Sequence, residues 1–434
     1  MNRNNYISLI LSAVYSLSLA ASPAEYLYQR GRHFLEQHDK ENALLVLTKA
    51  HELDPNYDEI TIQIASVYFF SREYQKAIPY FQHYLTRKPY DTDMLFYLGS
   101  AYNHLGNFAR ANQQFKQSYD ISHDDIARIE LLKNHIRDME WSDAEQYLTP
   151  ELWWYNSNLY GKRIVLDMAQ DGNGIGDIIF FLRYAKTVTQ AGAHVSVVVP
   201  KLLHPLCKCC PYVNEVVENK NDLTYPYDQS YSICIASLIL RSKHKLHYAS
   251  QDVPYLTIPQ QLSDQWREKL AHDRNFKVGI SWEGTPNKTR FLGKQLENHR
   301  TVPFDCLRTL QSLQGVSWYS LQKNPNEWPS GFPIKSLGSC LDEANGAFMD
   351  SAALMKHLDL VISIDGSIAH LAGALGIPVW VMLPCENDYR WFSNRSDSPW
   401  YPSMRLFRQK ECGNWETVIS KIKNELTNLL LLES

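Results

Sequence analysis

A 34-residue repeat near the start of the chain constrains the fold more than any other feature. Shifting the sequence against itself by 34 residues superimposes five positions over three units. These positions hold Gly31, Ala65 and Gly99; Phe34, Tyr68 and Tyr102; Ala43, Ala77 and Ala111; Leu47, Phe81 and Phe115; and Pro55, Pro89 and His123. Small residues let two helices approach closely, larger ones fill the gap beside them, and proline ends a helix. The repeat therefore predicts stacked pairs of helices.

This pattern resembles the tetratricopeptide repeat (TPR) family, whose units stack into a superhelix. We expect the array over residues 24–145, with a capping helix at 126–136. TPR arrays commonly bind peptides or partner chains in the groove lined by the first helix of each unit. The resemblance makes Tyr26, Arg30, Tyr97 and Asn103 candidates for that groove. The alternative is that these side chains are ordinary packing or solvated positions.

The composition indicates a globular protein of two or three domains. The chain has 434 residues, more than one hydrophobic core usually serves, and 44% of them are apolar and 21% charged. The formal net charge is −4, and no cluster of Lys and Arg stands out. Nucleic acid and anionic membrane surfaces are therefore excluded as expected partners.

Residues 1–23 form an apolar leader with two open interpretations. It is either a signal peptide, for which Ser18-Leu19-Ala20 is a passable cleavage site, or a leading helix that packs on the first repeat. The apolar stretch is too short for a comfortable membrane span.

The eight cysteines are expected to be free thiols of a reducing compartment. They lack the pair of C-x2-C motifs that would suggest a zinc site, since Cys207 to Cys210 is the one such spacing, and Cys207, Cys209 and Cys210 crowd one short stretch.

From Arg163 onward, short apolar strands alternate with helices, which is typical of βαβ units and a mostly parallel sheet. A break with Pro254 and Pro259 separates two series of strands. Strands are predicted at 163–168, 194–199, 213–217 and 231–235, then at 277–282, 317–321, 359–364 and 378–383. We expect two Rossmann-like halves, over 160–260 and 261–434, with a ligand cleft between them.

Asp177 is the candidate catalytic residue. It follows Gly172, Gly174 and Gly176 in the turn after the first strand, at the predicted start of a helix over 177–190. A carboxylate there already uses the helix N-terminus that a phosphate would need, so dinucleotide binding in this turn is disfavoured. As a general base, Asp177 would take a proton from an acceptor hydroxyl. The alternative is a plain helix cap.

The stretch Asp365-Gly366-Ser367 and His370 form the second constellation. It follows a predicted parallel strand and opens a helix, so exposed amides and the Ser367 hydroxyl would bind a diphosphate without a metal. His370, about one turn into the helix, could donate a hydrogen bond to a phosphate or sugar oxygen. The alternatives are a structural histidine and a capping role for Asp365.

The loop after Trp282 is the third constellation. Thr285, Lys288 and Arg300 offer hydroxyl and cationic groups that could neutralise a leaving diphosphate. Ser281, in the strand before this loop, is assigned to the same donor site. The alternative is a solvated basic loop.

Residues 161–430 resemble glycosyltransferase family 9, the bacterial lipopolysaccharide heptosyltransferases, in a TPR-fused form. The stretches that carry the resemblance are GNGIGDIIFFLRYAKTV, VGISWEGTP, NHRTVP, VISIDGSIAHLAGALGIPVWVML and RWFSNRSDSPWYPSMRLFRQ. The family implies the GT-B fold, two Rossmann-like domains facing a cleft, and metal-independent inversion with a nucleotide-diphosphate sugar held mainly by the second half. Asp177 matches its proposed base, and Asp365, Ser367 and His370 match donor-site positions.

The chain departs from the family at two places. The family usually reads Asp-Thr where this chain has Asp365-Gly366, and the stretch 290–298 lengthens a loop. The first departure removes one hydroxyl contact to the donor unless Ser367 substitutes for it.

We therefore expect an inverting glycosyltransferase, without metal or cofactor, whose TPR array recruits a protein or glycan acceptor or another protein partner. The alternative is an inactive nucleotide-sugar-binding scaffold whose repeats bind protein. Because bacterial nucleotide sugars are cytosolic, the expected location is cytoplasmic, with export by a signal peptide as the alternative. The final helix, with its apolar face, is expected to return to the first half, as it often does in two-Rossmann transferases.

Overall fold

The computed structural model describes most of the chain outside the leader. The described residues are 22–138, 140, 143, 146–147, 159–169, 174–232, 253–284, 290–291, 294–295, 300–323, 331–337, 341–385, 387–393 and 395–433. The predicted leader therefore lies outside them except for its last two residues. Within the described part of the chain, no helix is both long and apolar enough to cross a membrane.

The chain divides into two compact units. The first comprises residues 1–131 with 286–297, and the second comprises 132–285 with 298–434. The boundaries predicted at 145, 160 and 260 differ from this division and stay predictions.

The first unit contains the repeat helices. They are α1 (Pro23–Glu36), α2 (Lys40–Leu53), α3 (Asp58–Phe70), α4 (Tyr74–Arg87), α5 (Thr92–His104) and α6 (Phe108–Ser122). The next helix, α7 (Asp125–Arg137), spans the boundary between the two units. Ser22, Asp39, Asp91 and Asn107 cap α1, α2, α5 and α6 by accepting backbone N–H groups. The strands β6 (Arg290–Phe291) and β7 (Lys294–Gln295) of the lengthened loop pair antiparallel.

The predicted interlock of small and large residues is confirmed. A Cβ atom at Gly31 would lie 2.6 Å from Leu47 Cγ, and one at Gly99 would lie 2.8 Å from the Phe115 ring. Leu47 and Phe115 are fully buried. Because any side chain at these glycines would meet the partner helix, glycine sets the close spacing of each pair. The TPR array predicted from the sequence is present.

The second unit begins with a four-stranded parallel sheet. Its strands are β1 (Arg163–Asp167), β2 (His194–Val198), β3 (Glu215–Val217) and β4 (Gln229–Ser232), in the order β3-β2-β1-β4. The single helix predicted at 177–190 is wrong, because α8 (Ile175–Phe181) and α9 (Tyr184–Gln190) are separated by a turn at Leu182 and Arg183. The short helix α10 (His204–Cys207) follows β2.

A six-stranded parallel sheet forms the second half. Its strands are β5 (Phe276–Ser281), β8 (Val316–Ser320), β9 (Ile334–Lys335), β10 (Leu360–Ile364), β11 (Val379–Leu383) and β12 (Met404–Arg408). Their order, β12-β11-β10-β5-β8-β9, is the doubly wound Rossmann order that starts from a central first strand. The helices are α11 (Gln260–Leu270), α12 (Phe304–Leu307), α13 (Met349–Met355), α14 (Ser367–Leu375) and α15 (Trp415–Glu433). The predicted fold class, helical repeats with two Rossmann-like halves, is confirmed.

The final helix does not return to the first half as expected. Its apolar face, including Trp415, Ile419 and Ile422, is buried in the core of the second half with Val278, Ile280 and Phe407 of its own sheet. The strand β12, which was not predicted, widens this sheet and supplies part of the surface on which α15 packs, through Phe407.

The two halves meet at buried aromatic and cationic side chains. Arg183 Nη1 of the first half donates to the carbonyl oxygen of Trp400 at 3.0 Å, and its guanidinium carbon lies 4.4 Å from the centre of the Tyr401 ring. Tyr255, from the connecting segment, donates its hydroxyl to the carbonyl oxygen of Ile179 at 3.0 Å. The segment between the halves is therefore part of the junction.

The expectation that all cysteines are free thiols is wrong for two of them. Cys385 and Cys412 form a disulfide with a Cα–Cα distance of 5.1 Å. They follow the carboxyl ends of the neighbouring strands β11 and β12, so the sheet brings them together. Cys207, Cys209, Cys210 and Cys306 are free thiols.

Candidate functional site

The candidate site lies where β5 and β10 run side by side in the second sheet. These strands are parallel, with Ser281 opposite Ser363. They stand at the point where the strand order reverses direction, since β8 and β9 continue on one side and β11 and β12 on the other. Ligands of open α/β sheets bind outside the carboxyl ends of the strands at such a switch point. The topology therefore brings Ser281 and the stretch from Asp365 to Ser367 to one edge.

Ser281 is buried and fixed by a glutamine that the sequence analysis missed. Its hydroxyl donates to Gln322 Oε1 at 3.1 Å, and the backbone N–H of Glu283 donates to the same oxygen at 3.0 Å. Gln322 follows β8, the neighbour of β5. Polar residues just beyond the carboxyl ends of adjacent strands are the signal that could have found it. Of the loop residues assigned to the donor, Thr285 and Lys288 lie outside the described residues.

Arg300 and Asp365 are neighbours in the structure. Arg300 Nη1 donates to the backbone carbonyl of Asp365 at 3.3 Å. This bond connects the loop before α12 to the strand end that opens α14, although the two residues are far apart in sequence. The cation predicted for this edge of the sheet is thus beside the start of α14, while its contact with a donor stays a prediction.

Asp365 is a buried carboxyl group with an unusual charge environment. Its pKa is raised to about 6, first by burial and then by the neighbouring Asp388 carboxylate, although Arg390 and Arg300 oppose the change. Asp388 has a pKa below its ordinary value, because the adjacent Arg390 guanidinium outweighs the effect of burial. Near neutral pH, the two carboxyl groups therefore differ in how readily they hold a proton.

The helix α14 begins at Ser367, two residues after Asp365. Gly366 is its N-cap, with an extended backbone, and accepts the N–H of His370 through its carbonyl. Gly366 and Ser367 are half-buried. A helix of this length presents unpaired N–H groups and partial positive charge at its first turn, which suits an anion. The predicted diphosphate contact at Ser367 is consistent with this geometry and stays a prediction.

His370 is enclosed by aromatic side chains and is 1% exposed. Its Nδ1 lies 3.1 Å from the Tyr401 hydroxyl, and its ring stacks on Trp391 with centres 5.1 Å apart. Burial, with the nearby Arg390 and Arg183, holds its pKa well below the ordinary value, so the imidazole is neutral. These surroundings favour the structural alternative over a donor contact, which remains a prediction.

Asp177 belongs to the first turn of α8 rather than opening it. The N-cap is Gly174, and its backbone N–H donates to Asp177 Oδ2 at 2.7 Å. The Asp177 side chain is 18% exposed. Asp177 therefore makes the helix-capping contact that was the alternative to a catalytic role, and part of its side chain is also accessible to solvent. Gly172, the first glycine of the predicted turn, lies outside the described residues.

Gly176 allows the two halves to touch beside the candidate site. A Cβ atom at Gly176 would lie 3.0 Å from His370 Cδ2 and 3.5 Å from the backbone nitrogen of Ser367. The start of α8 therefore packs directly on the start of α14. This contact brings the proposed base and the proposed donor site, predicted separately from sequence, to one place.

Arg390 is the second residue that the sequence analysis missed. Its guanidinium binds the Asp177 carboxylate through Nη1 and the Asp388 carboxylate through Nε, the latter at 2.7 Å. The side chain is 8% exposed. Its pKa lies well above the ordinary value, because the Asp388 and Asp177 carboxylates outweigh the effect of burial. Arg390 opens the last of the family-like stretches, which was the available signal.

Comparison with known proteins gives distant similarities. No family model matches the sequence. The chain is 24% identical over 308 residues to Protein FlbA of Caulobacter vibrioides, a match that covers 66% of this chain and 50% of that protein. The chain thus spans about half the length of this curated relative.

Solved structures resemble the two parts of the chain separately. The glycosyl transferase family 9 protein from Veillonella parvula DSM 2008 aligns with a TM-score of 0.45 at 12% identity, covering 64% of this chain and 99% of that one. MamA aligns at 0.27 and 21% identity, covering 29% and 74%. A tetratricopeptide repeat protein from Parabacteroides merdae ATCC 43184 aligns at 0.27 and 23%, covering 29% and 51%.

Proposed function

We propose that the chain is an inverting, metal-independent glycosyltransferase that moves a sugar from a nucleotide-diphosphate sugar to a protein or glycan acceptor. The observation that carries this proposal is the direct packing of α8, with Asp177, on the start of α14 at the switch point of the second sheet. A carboxylate and an anion-binding helix start, supplied by opposite halves, are the two groups that this transfer needs.

In this mechanism the second half holds the donor. The first-turn amides of α14 and the Ser367 hydroxyl bind the diphosphate, and Arg300 adds positive charge beside Asp365. Negative charge grows on the diphosphate as it leaves. Fixed hydrogen-bond donors and a cation around the leaving diphosphate stabilise the transition state more than the ground state.

Asp177 activates the acceptor. Its carboxylate takes the proton of the acceptor hydroxyl while the hydroxyl oxygen attacks the anomeric carbon. The bond from that carbon to the diphosphate oxygen breaks, and the diphosphate leaves with the electron pair. Attack on the face opposite the leaving group inverts the anomeric centre, so one carboxylate base is sufficient.

A donor panel tests the proposal. The full chain is incubated with UDP-glucose, UDP-N-acetylglucosamine, GDP-mannose and ADP-heptose, and release of the nucleoside diphosphate is measured. We expect turnover of at least one donor, and a loss of about 100-fold or more in Asp177→Asn. Asp264→Asn, on α11 of the second half, is the matched control and should retain activity. Equal turnover by Asp177→Asn and the wild type would show that Asp177 is not the base.

The second candidate function is a nucleotide-sugar sensor without turnover. Gly366, where the family has threonine, favours it, because the hydroxyl contact of that threonine to the donor is then absent. A sensor would be stabilised by a donor without releasing its diphosphate, because a ligand raises the unfolding temperature by mass action.

The variant Gly366→Thr separates the two functions further. A Cβ at Gly366 would have its nearest neighbour 4.0 Å away, and the backbone there is extended, so the larger side chain fits. We expect Gly366→Thr to bind its donor several-fold more tightly in calorimetry. Faster turnover as well would support the transferase, whereas tighter binding with no turnover would support the sensor.

The TPR array is proposed to recruit the acceptor or another protein partner. Tyr26 is 36% exposed, which suits a contact residue. Arg30 lies over the Phe34 ring, and Tyr97 packs against Phe69 with ring centres 5.3 Å apart, so Tyr97 also has a packing role. Asn103 is half-buried. In Tyr26→Ala, we expect a higher KM for a protein acceptor and unchanged donor hydrolysis, which needs no acceptor.

The proposed location is cytoplasmic, where the donor would be available. Sequencing the N-terminus of the mature protein tests this, since loss of the leader would indicate export.

A further inference from the structure

Contacts with the second half fix Arg390, whose guanidinium extends to the first half. It lies in the 3-10 turn Tyr389–Trp391 that follows β11. Asp388 Oδ1 accepts both its backbone N–H, at 3.0 Å, and its Nε, at 2.7 Å. The Trp400 indole donates to its carbonyl oxygen at 2.8 Å. Backbone and side chain are therefore both fixed by residues of the second half.

The segment that carries Arg390 is anchored on both sides. The disulfide between Cys385 and Cys412 holds its start, and the Ser393 hydroxyl donates to Asp138 Oδ1 at 2.8 Å at its end. These contacts leave little freedom for the turn to shift relative to the second sheet. The position of the guanidinium is thus a property of the second half.

The guanidinium then completes the environment of Asp177 in the first half. Arg390 Nη1 donates to Oδ1, while the Gly174 N–H donates to Oδ2. The guanidinium carbon also lies 5.4 Å from the centre of the Phe180 ring, on the same helix as Asp177. The carboxylate therefore accepts hydrogen bonds from both halves, and its Oδ1 has the Arg390 partner only while the halves are in contact.

We propose that Arg390 is the positioning residue for Asp177, and that its bond makes the base competent only when the two halves meet. The inference rests on the proposed function of Asp177. Arg390 need not touch either substrate. It acts on the reaction through the carboxylate, whose remaining lone pairs it leaves for the acceptor proton.

A double-mutant cycle tests this role in the full chain, with the donor from the panel that the wild type turns over. We expect Arg390→Met to lower kcat about 30- to 100-fold with the donor KM changed less than about threefold. In the Asp177→Asn background, the same change should cost less than about threefold, because the residue through which Arg390 acts is already lost. An equal loss in both backgrounds would overturn the proposal.

Rescue by the conservative variant supplies a readout that a merely structural role would not give. Arg390→Lys keeps the charge without the planar fork, and should recover part of the kcat lost in Arg390→Met while the donor KM stays unchanged. A kcat in Arg390→Lys no higher than in Arg390→Met would count against the proposal. Arg267→Met, at an exposed ion pair on α11, is the control and should match the wild type.

Hydrogen exchange distinguishes failure of this proposal from failure of the proposed function. If Arg390 links the halves, the amides of Ile175–Phe181 should exchange several-fold faster in Arg390→Met than in the control. Unchanged exchange would refute the link itself. If the wild type turns over no donor, the glycosyltransferase assignment and the catalytic role of Arg390 both fail, even where exchange shows the link. If Arg390→Met does not fold, Arg390→Lys carries the same comparisons.

Discussion

The helical array and the two-sheet unit bring their key side chains together over very different sequence distances. In the array, Gly31 meets Leu47 and Gly99 meets Phe115, each pair sixteen positions apart. In the second unit, Asp177 meets Arg390 across 213 positions. Local pairs depend on one helical hairpin, whereas the distant pair depends on two complete sheets. We therefore expect a substitution in the array to destabilise mainly its own helical hairpin, and a substitution at the site to affect both halves of the second unit.

The largest effect is expected in the array, at Phe115. This fully buried ring fills the space opposite Gly99. Phe115→Ala should lower the free energy of unfolding by about 3 to 5 kcal/mol, because it removes buried contacts and leaves a cavity. Thermal unfolding followed by circular dichroism measures it. Tyr90→Ala, at a ring that is 75% exposed, is the control and should change little. If Phe115→Ala lost donor turnover at temperatures where the array is folded, the expectation that this substitution affects only the array would be wrong.

The next largest effect on stability is expected at Gly373 on α14, in the second unit. A Cβ there would lie 2.5 Å from the Tyr401 ring, so Gly373→Ala should cost about 1 to 3 kcal/mol through overpacking. Because Tyr401 contacts both His370 and Tyr255, the damage should reach the junction of the halves. Hydrogen exchange at α8 would reveal it. Gly366→Ala, where there is space, should be nearly neutral, and equal effects of the two changes would refute the packing argument.

A pH-dependent effect of about 2 to 3 kcal/mol is expected from Asp365. Its pKa of about 6 in the folded protein exceeds the ordinary value, so the folded state holds the proton more tightly. Stability from this group is present below about pH 4 and is lost as the pH rises to about 6 and above. Asp365→Asn should therefore unfold at a higher temperature than the wild type at pH 8 but not at pH 4.

Comparing the two proteins at each pH cancels the contribution of His370, whose lowered pKa acts in the opposite sense. The groups that face Asp365 are Asp388, Arg390 and Arg300, and all are retained in the variant. A difference in unfolding temperature that does not change between pH 4 and 8 would rule out the raised pKa.

The smallest effect is expected at Asp91, the cap of α5. Its Oδ1 accepts the N–H of Met94 at 3.1 Å, and its Oδ2 accepts the Tyr84 hydroxyl at 2.7 Å. Asp91→Ala should destabilise the array by about 1 kcal/mol, and Asp91→Asn, which can still cap, should cost less. Chemical denaturation measures both. Any change in donor turnover by Asp91→Ala would argue against the expectation that substitutions in the array leave the site unaffected.

Much of the architecture could be predicted, because periodicity and caps act over short distances. The repeat period, the capping helix and most strands were predicted from local patterns, and the edge positions of Ser281 and Asp365 follow from parallel strand order. The strand β12 was missed because Arg405 and Arg408 interrupt its apolar run. The break between α8 and α9 was missed because Arg183 is turned inward by contacts with Phe180 and Trp400.

By itself, the sequence determined the repeat, the alternation of strands and helices, and the residue types suited to a base and an anion site. Only the tertiary structure decided that Arg390 binds Asp177, that Gln322 holds Ser281, that Cys385 pairs with Cys412, and that α15 packs on its own sheet. Short-range patterns encode helices and strands because their hydrogen bonds and packed faces recur at fixed spacing. The distant contacts have no such period, since they form only when completed sheets bring buried charges close enough to neutralise one another.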